Sequence, residues 1–197
     1  MRQLFFADTP CSYLTKQNQS LEFYKTCGQI KGDQFLLQDF HKNNIEFDEH
    51  GLACIIAIQK AFYINKKGET RRTVFFDTDC DYFEDGYARG YENGKMVYID
   101  KKLNVKLKPD FEWLLPFDYD HAIVCNGLFE TIQDGEHRLM KNGKCGLIDK
   151  KGNSVVEALY PIGDREAFDV YINSYNHCPK PPTTLQDSAI CHAKRHL

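Results

Sequence analysis

The chain is 197 residues long, 42% hydrophobic and 27% charged, with a formal net charge of -3. That length suits one substantial domain, or a repeat array with a terminal extension. Lys and Arg occur at most in pairs, so the basic stripe of a nucleic-acid surface is missing. No stretch approaches the roughly 18 apolar residues of a membrane helix, so membrane insertion is not expected. Leu4-Phe5-Phe6-Ala7 is too short for the apolar centre of a signal peptide. As written, the chain is expected to be cytoplasmic, or periplasmic if the true start lies upstream and a signal peptide is missing. The 14 Phe and 11 Tyr against one Trp favour strands, where flat side chains fit a pleated surface.

Residues 1–46 read as an N-terminal capping segment. Leu21-Glu22-Phe23-Tyr24 and Gln34-Phe35-Leu36-Leu37 suggest short strands, with a hairpin signal at Lys31-Gly32-Asp33. Tyr13, Leu14, Leu21, Phe23 and Tyr24 are too irregularly spaced to require a helix.

A repeat begins at Phe47. In FDEHGLACIIAIQKAFYINKKGET (47–70) and FEDGYARGYENGKMVYIDKKLNVKL (83–107), one constant spacing aligns four features. Gly51 aligns with Gly86, Ala53 with Ala88, Ile64 with Ile99, and Lys66-Lys67 with Lys101-Lys102. A looser third copy takes Asn126-Gly127-Leu128 as its first half and 142–152 as its second. It requires an insertion of about eight residues within Phe129 to Met140. Asn93-Gly94 and Asn142-Gly143 supply the positive φ of tight hairpin turns. Gly68 and Gly152 mark a second turn, for which the middle copy offers Leu103-Asn104, with Asn104 expected to take the left-handed position. One hairpin buries too little to stand alone, so the units are expected to share a core. The connectors at 73–83, 111–122 and 158–168 are aromatic and acidic. A Pro-rich linker and tail occupy 176–197.

Eight cysteines suit an oxidising compartment. Their spacing contains no C-x-x-C, and it does not choose among the pairings. One reading treats Cys54, Cys125 and Cys145 as small buried hydrophobes. Another pairs the outer residues, Cys11 with Cys27 and Cys178 with Cys191.

Gly143 to Val156, GKCGLIDKKGNSVV, resembles the WG-repeat family. Cys145 stands where that family has Trp, and Gly146 matches its Gly. The second copy has GKMVYID (94–100) and the first KAFYIN (60–65), so no copy keeps the Trp-Gly pair. The resemblance spans about 47–160. It implies short β units, contacts with other proteins, a bacterial origin, and no shared catalytic residues.

Asp77-Thr78-Asp79-Cys80-Asp81 puts three carboxylates at alternate positions, on one face of an extended strand. Calcium would use such oxygens, but Tyr82 and Ala88 stand where a calcium loop needs Gly and Glu. With Tyr82, Glu84, Asp85 and Tyr87, the same stretch suits a basic protein partner. Tyrosine supplies contact area and carboxylates steer encounter. His177-Cys178, Cys191-His192 and His196 could bind zinc, although their spacing is unlike a compact finger. Cys125 near His121 is the one local nucleophile–base pairing, and phosphate-loop motifs are absent.

The expected fold is mostly β. It comprises tandem β-hairpin or three-stranded units stacked into one domain (47–175), with an N-terminal cap and a C-terminal tail. The expected function is non-enzymatic protein binding without cofactors, metals or catalytic residues. The binding residues would be Asp77, Asp79, Asp81, Tyr82, Glu84, Asp85 and Tyr87. In concrete form this is a bacterial immunity protein that occludes a partner toxin or effector. The alternative is a metal-binding or extracytoplasmic sensor module using Asp77/Asp79/Asp81 or the C-terminal Cys/His group.

Overall fold

The computed structural model describes residues 8–127, 130–134, 137–161, 165–175 and 185. The fold is mostly β. The chain divides into two compact units, Met1–Lys106 and Leu107–Leu197. That boundary falls inside the segment expected to hold all three copies.

In the first unit β1 (Thr9–Leu14), β2 (Leu21–Lys31) and β3 (Gln34–Leu37) precede a short helix, α1 (Asp39–Asn44). The first copy follows as β4 (Leu52–Ala57), β5 (Lys60–Asn65) and β6 (Thr70–Thr73). A small hairpin, β7 (Phe75–Phe76) and β8 (Asp79–Cys80), leads to the second copy. That copy is β9 (Ala88–Glu92), β10 (Lys95–Ile99) and β11 (Val105–Leu107). Nine of these strands form one sheet in the order β11-β10-β9-β6-β5-β4-β1-β2-β3. The two copies thus lie side by side in a single sheet, joined where Thr73 of β6 pairs with Gly90 of β9. The N-terminal strands extend the same sheet through β1 against β4.

Period-two alternation explains the packing. Ile55 and Phe62 are register partners, as are Ala53 and Ile64, and these side chains pack with Tyr13, Phe35 and Ile45 into one core. Each such large apolar side chain contributes about 1.5–3 kcal/mol on full burial. A second cluster gathers Leu52, Ala88, Val97, Ile99 and Leu103. Within the first core, His41 is buried and satisfied. Its Nδ1 accepts from the Tyr13 hydroxyl at 2.7 Å, and its Nε2 donates to the Thr26 carbonyl at 2.9 Å. Burial, followed by the Tyr24 contact, pushes the Tyr13 phenol above its ordinary pKa.

In the second unit, β12 (Trp113–Asp118), β13 (His121–Asn126), β16 (Lys144–Asp149) and β17 (Ser154–Pro161) form a four-stranded sheet in that order. Between β13 and β16 the chain makes a separate hairpin, β14 (Glu130–Asp134) with β15 (His137–Lys141). The helix α2 (Arg165–Tyr175) supplies Phe168, Tyr171 and Ile172 to a core shared with Ile123, Leu147 and Val156.

Registers give the true alignment of the copies. Ala53 faces Ile64, Ala88 faces Ile99, and Ala122 faces Ile148. The first half of the third copy is therefore His121–Asn126 rather than Asn126-Gly127-Leu128. Everything from 127 to 143 is inserted, which displaces the second half and hides the match. Asp120, at φ +64°, takes the position held by Gly51 (+76°) and Gly86 (+89°).

One turn recurs at 48–52, 65–69, 100–104 and 149–153. Its first residue, Asp48, Asn65, Asp100 or Asp149, accepts through Oδ1 from the backbone N–H groups two and four residues on. The fourth residue is left-handed: Gly51, Gly68, Leu103 and Gly152. In the second copy it is Leu103 (φ +65°), not Asn104. The Leu103 side chain is buried in the second cluster, and that burial offsets the backbone strain.

Three disulfides join Cys11 to Cys27, Cys54 to Cys80, and Cys125 to Cys145. The first is the expected pairing. Cys54, Cys125 and Cys145 are therefore cross-links rather than isolated buried thiols. Cys178 and Cys191 lie outside the described residues, as do His177, His192 and His196.

Candidate protein-binding groove

The acidic connector does not run as one strand. Asp77 (φ +46°) and Thr78 (φ +67°) form the tight turn of the β7–β8 hairpin, in which Phe75 pairs with Cys80 and Phe76 with Asp79. The Cys54–Cys80 disulfide ties this hairpin to β4. Asp77 and Asp79 are exposed, whereas Asp81 is only 2% exposed.

Asp81 turns inward onto Arg89, itself buried. One carboxylate oxygen accepts from the Arg89 backbone N–H at 2.7 Å and from its Nε at 3.0 Å, while the other meets the Arg89 Nη2. Tyr63 closes this corner by donating its hydroxyl to the Asp81 carbonyl at 2.5 Å. Burial first, and the Asp81 carboxylate second, push the Tyr63 phenol above its ordinary pKa. Asp81 is thus a structural counter-charge and is not presented to a partner.

Next to the hairpin lies an open groove of about 700 Å³. Its apolar lining includes Leu14, Leu21, Phe47, Ile56, Tyr63 and Tyr82. Carboxylates from Glu46, Asp48, Asp77 and Asp79 line it as well. Leu21 is 67% exposed and Tyr82 49% exposed, so both present apolar surface to solvent in the groove. Tyr82 is held edge-on against Phe76, at 6.0 Å between ring centroids. Asp48 spends one oxygen on its own turn, and Asp79 accepts from the Cys80 N–H at 2.7 Å.

Of the residues expected to bind a partner, the fold brings Asp77, Asp79 and Tyr82 to this groove. Glu84, Asp85 and Tyr87 form a separate tight turn, closed by the Glu84–Tyr87 backbone pair at 2.9 Å, and do not line it. Sequence reading missed Leu14, Leu21, Glu46 and Phe47. The first two flank the β1–β2 turn and could have been noticed as leucines beside a polar loop.

The metal readings fare differently. With a guanidinium on Asp81, the Asp77/Asp79/Asp81 triplet is not a set of convergent oxygens. Cys54, Asp79 and Cys80 bring their ligand atoms within 4.8 Å of one another, but both sulfurs are spent in one disulfide rather than held as thiolates. Cys125 is likewise bonded to Cys145, so it offers no thiolate to His121, whose Nδ1 donates to the Tyr119 carbonyl at 2.8 Å.

The backbone of β17 leaves room at position 146 for glycine alone. A Cβ there would stand 2.3 Å from the Val156 carbonyl oxygen and 2.8 Å from the Ala158 nitrogen, because the pairing of β16 with β17 shifts register between Cys145 and Leu147. The register-equivalent residues in the earlier copies, Phe62 and Val97, carry side chains into the core instead.

No curated protein and no solved structure matches the chain. Residues 98–127 match the family model described as WG containing repeat, from the end of β10 through the turn at 100–104 to the end of β13, so that segment is similar to a WG-type repeat.

Proposed function

We propose that this chain is a non-enzymatic protein-binding module whose groove beside the β7–β8 hairpin receives a basic segment flanked by apolar residues. The observation that carries the reading is the pairing of exposed Leu21 and Tyr82 with the carboxylates of Glu46, Asp77 and Asp79 in one groove. Apolar contact supplies affinity there, and the carboxylates steer a cationic partner. In its most concrete form the module is a bacterial immunity protein that occludes a partner toxin. The three disulfides support an oxidising compartment as its place of action.

The test is co-expression with the product of the adjacent open reading frame, followed by native mass spectrometry and calorimetry on the purified pair. A one-to-one complex, protection of the host, and loss of both in Leu21→Asp and Asp77→Lys/Asp79→Lys variants are expected. Absence of a stoichiometric complex together with absence of protection overturns the immunity reading. A complex indifferent to these substitutions overturns the groove.

A further inference from the structure

Three of the four equivalent turns, 48–52, 65–69 and 100–104, line a second cleft of about 600 Å³ in the first unit. We propose that this cleft binds a small anion carrying two or more phosphate groups. The proposal is independent of the groove described above.

Lys66, Lys67, Lys101 and Lys102 all line the cleft together with Glu69, and Glu49 lies 3.5 Å from His50 Nε2 at its edge. The Glu69 carboxylate is already engaged, accepting from the Asn65 side-chain amide at 2.7 Å. Four lysines therefore line one cleft on a chain whose net charge is -3. Like charges held together raise the local potential and favour a counter-anion.

Two of the lysines are placed rather than merely exposed. The Lys66 stem lies over Gly51, its carbons 3.5 Å from where a Cβ would stand. The Lys101 ammonium donates to His50 Nε2 at 2.7 Å and sits 6.0 Å from the centroid of the Phe83 ring. Both are thus held against structure N-terminal to their own turns, which lowers the ordering cost of binding.

Part of the backbone in these turns is already committed. The Lys67 and Lys102 N–H groups are spent on Asn65 and Asp100 within their own turns. Recognition falls to ammonium groups acting as point charges, which suits phosphate oxygens without demanding one planar geometry. Since the lysines come as pairs from two turns, one ligand must present at least two phosphates to engage both.

Calorimetric titration with tripolyphosphate, at low salt and at about 0.15 M salt, tests the assignment. Saturable one-to-one binding is expected, weaker at the higher salt and weaker still for orthophosphate. A Lys66→Gln/Lys101→Gln variant should lose about tenfold or more in affinity, while Lys31→Gln, on β2, should not. Unchanged circular dichroism would show that the variants fold. Absence of saturable binding overturns the proposal. So does equal binding by the double variant, an equal loss in Lys31→Gln, or orthophosphate binding as tight as tripolyphosphate.

Discussion

Arg89 folds back on Asp81 so that one carboxylate accepts from both the backbone and the side chain of the same arginine. The pair is buried, at 6% and 2% side-chain exposure, between the acidic hairpin and β9. Removing one partner strands the other charge away from water. Asp81→Ala or Arg89→Ala is expected to cost about 3–5 kcal/mol, read from urea unfolding. The double substitution Asp81→Leu/Arg89→Met should cost less than the two single losses combined, because no orphan charge remains.

The Cys54–Cys80 disulfide closes a loop with a sequence separation of 26 and holds the β7–β8 hairpin against the sheet. Replacing both cysteines by serine is expected to cost about 2–4 kcal/mol. Amide exchange should quicken at Asp77 to Cys80 before it does at β5, since the hairpin has only two paired positions of its own. Uniform quickening across the sheet would show that the bond does not act locally.

Ile58 (φ +48°) and Gln59 (φ +55°) make the β4–β5 turn, where the second copy has Asn93-Gly94. A β-branched residue is strained in the left-handed region, and Ile58 is also 62% exposed, so little burial offsets the strain. Ile58→Asn with Gln59→Gly is expected to raise stability by about 1 kcal/mol, seen as a higher thermal midpoint.

Gly146→Ala is expected to destabilise strongly, by about 3 kcal/mol or more. Its methyl group would meet backbone atoms of β17 at 2.3 and 2.8 Å, and backbone cannot swing aside. Gly86→Ala provides a contrast, since nothing lies within 4 Å of its Cβ position and only the left-handed conformation is strained. Its cost should be nearer 1 kcal/mol.

The Asp149 turn makes stability depend on acid. Desolvation raises the pKa of this carboxyl, but the bonds from Asn153 and the Lys151 N–H outweigh it and leave the folded value below the usual carboxylate range. The unfolded chain therefore holds this proton more tightly. The contribution is present above the ordinary aspartate pKa of about 3.9 and is lost as pH falls through the lower folded value. Asp149→Asn should keep the turn, as Asn65 does in the first copy, and remove this part of the acid sensitivity. Urea unfolding at pH 7 and at about pH 3 measures both effects.

Much of the fold was readable from local pattern. Ile64 and Ile99, the Asn93-Gly94 turn and the strand at Gln34–Leu37 depend on residues near in sequence, where period two and positive φ leave direct traces. The Cys11–Cys27 pair, one of the readings open to sequence because it closes a modest loop, joins two strands whose adjacency only the sheet shows. The third copy was misaligned because an inserted hairpin separates β13 from β16. The helix α2 went unread within an aromatic connector, although Phe168, Tyr171 and Ile172 carry the i, i+3, i+4 spacing.

The repeating β-hairpins are written in the residues themselves, because alternating burial and turn conformation are set by immediate neighbours. Which acidic residues face outward depends on contacts between segments distant in the chain. A turn at Asp77-Thr78 breaks the alternation that would have put Asp77, Asp79 and Asp81 on one face, and Arg89 then draws Asp81 inside. The groove follows from the same cause. Its walls come from β1, β4 and the disulfide-tied hairpin, segments distant in sequence that meet only when the sheet forms.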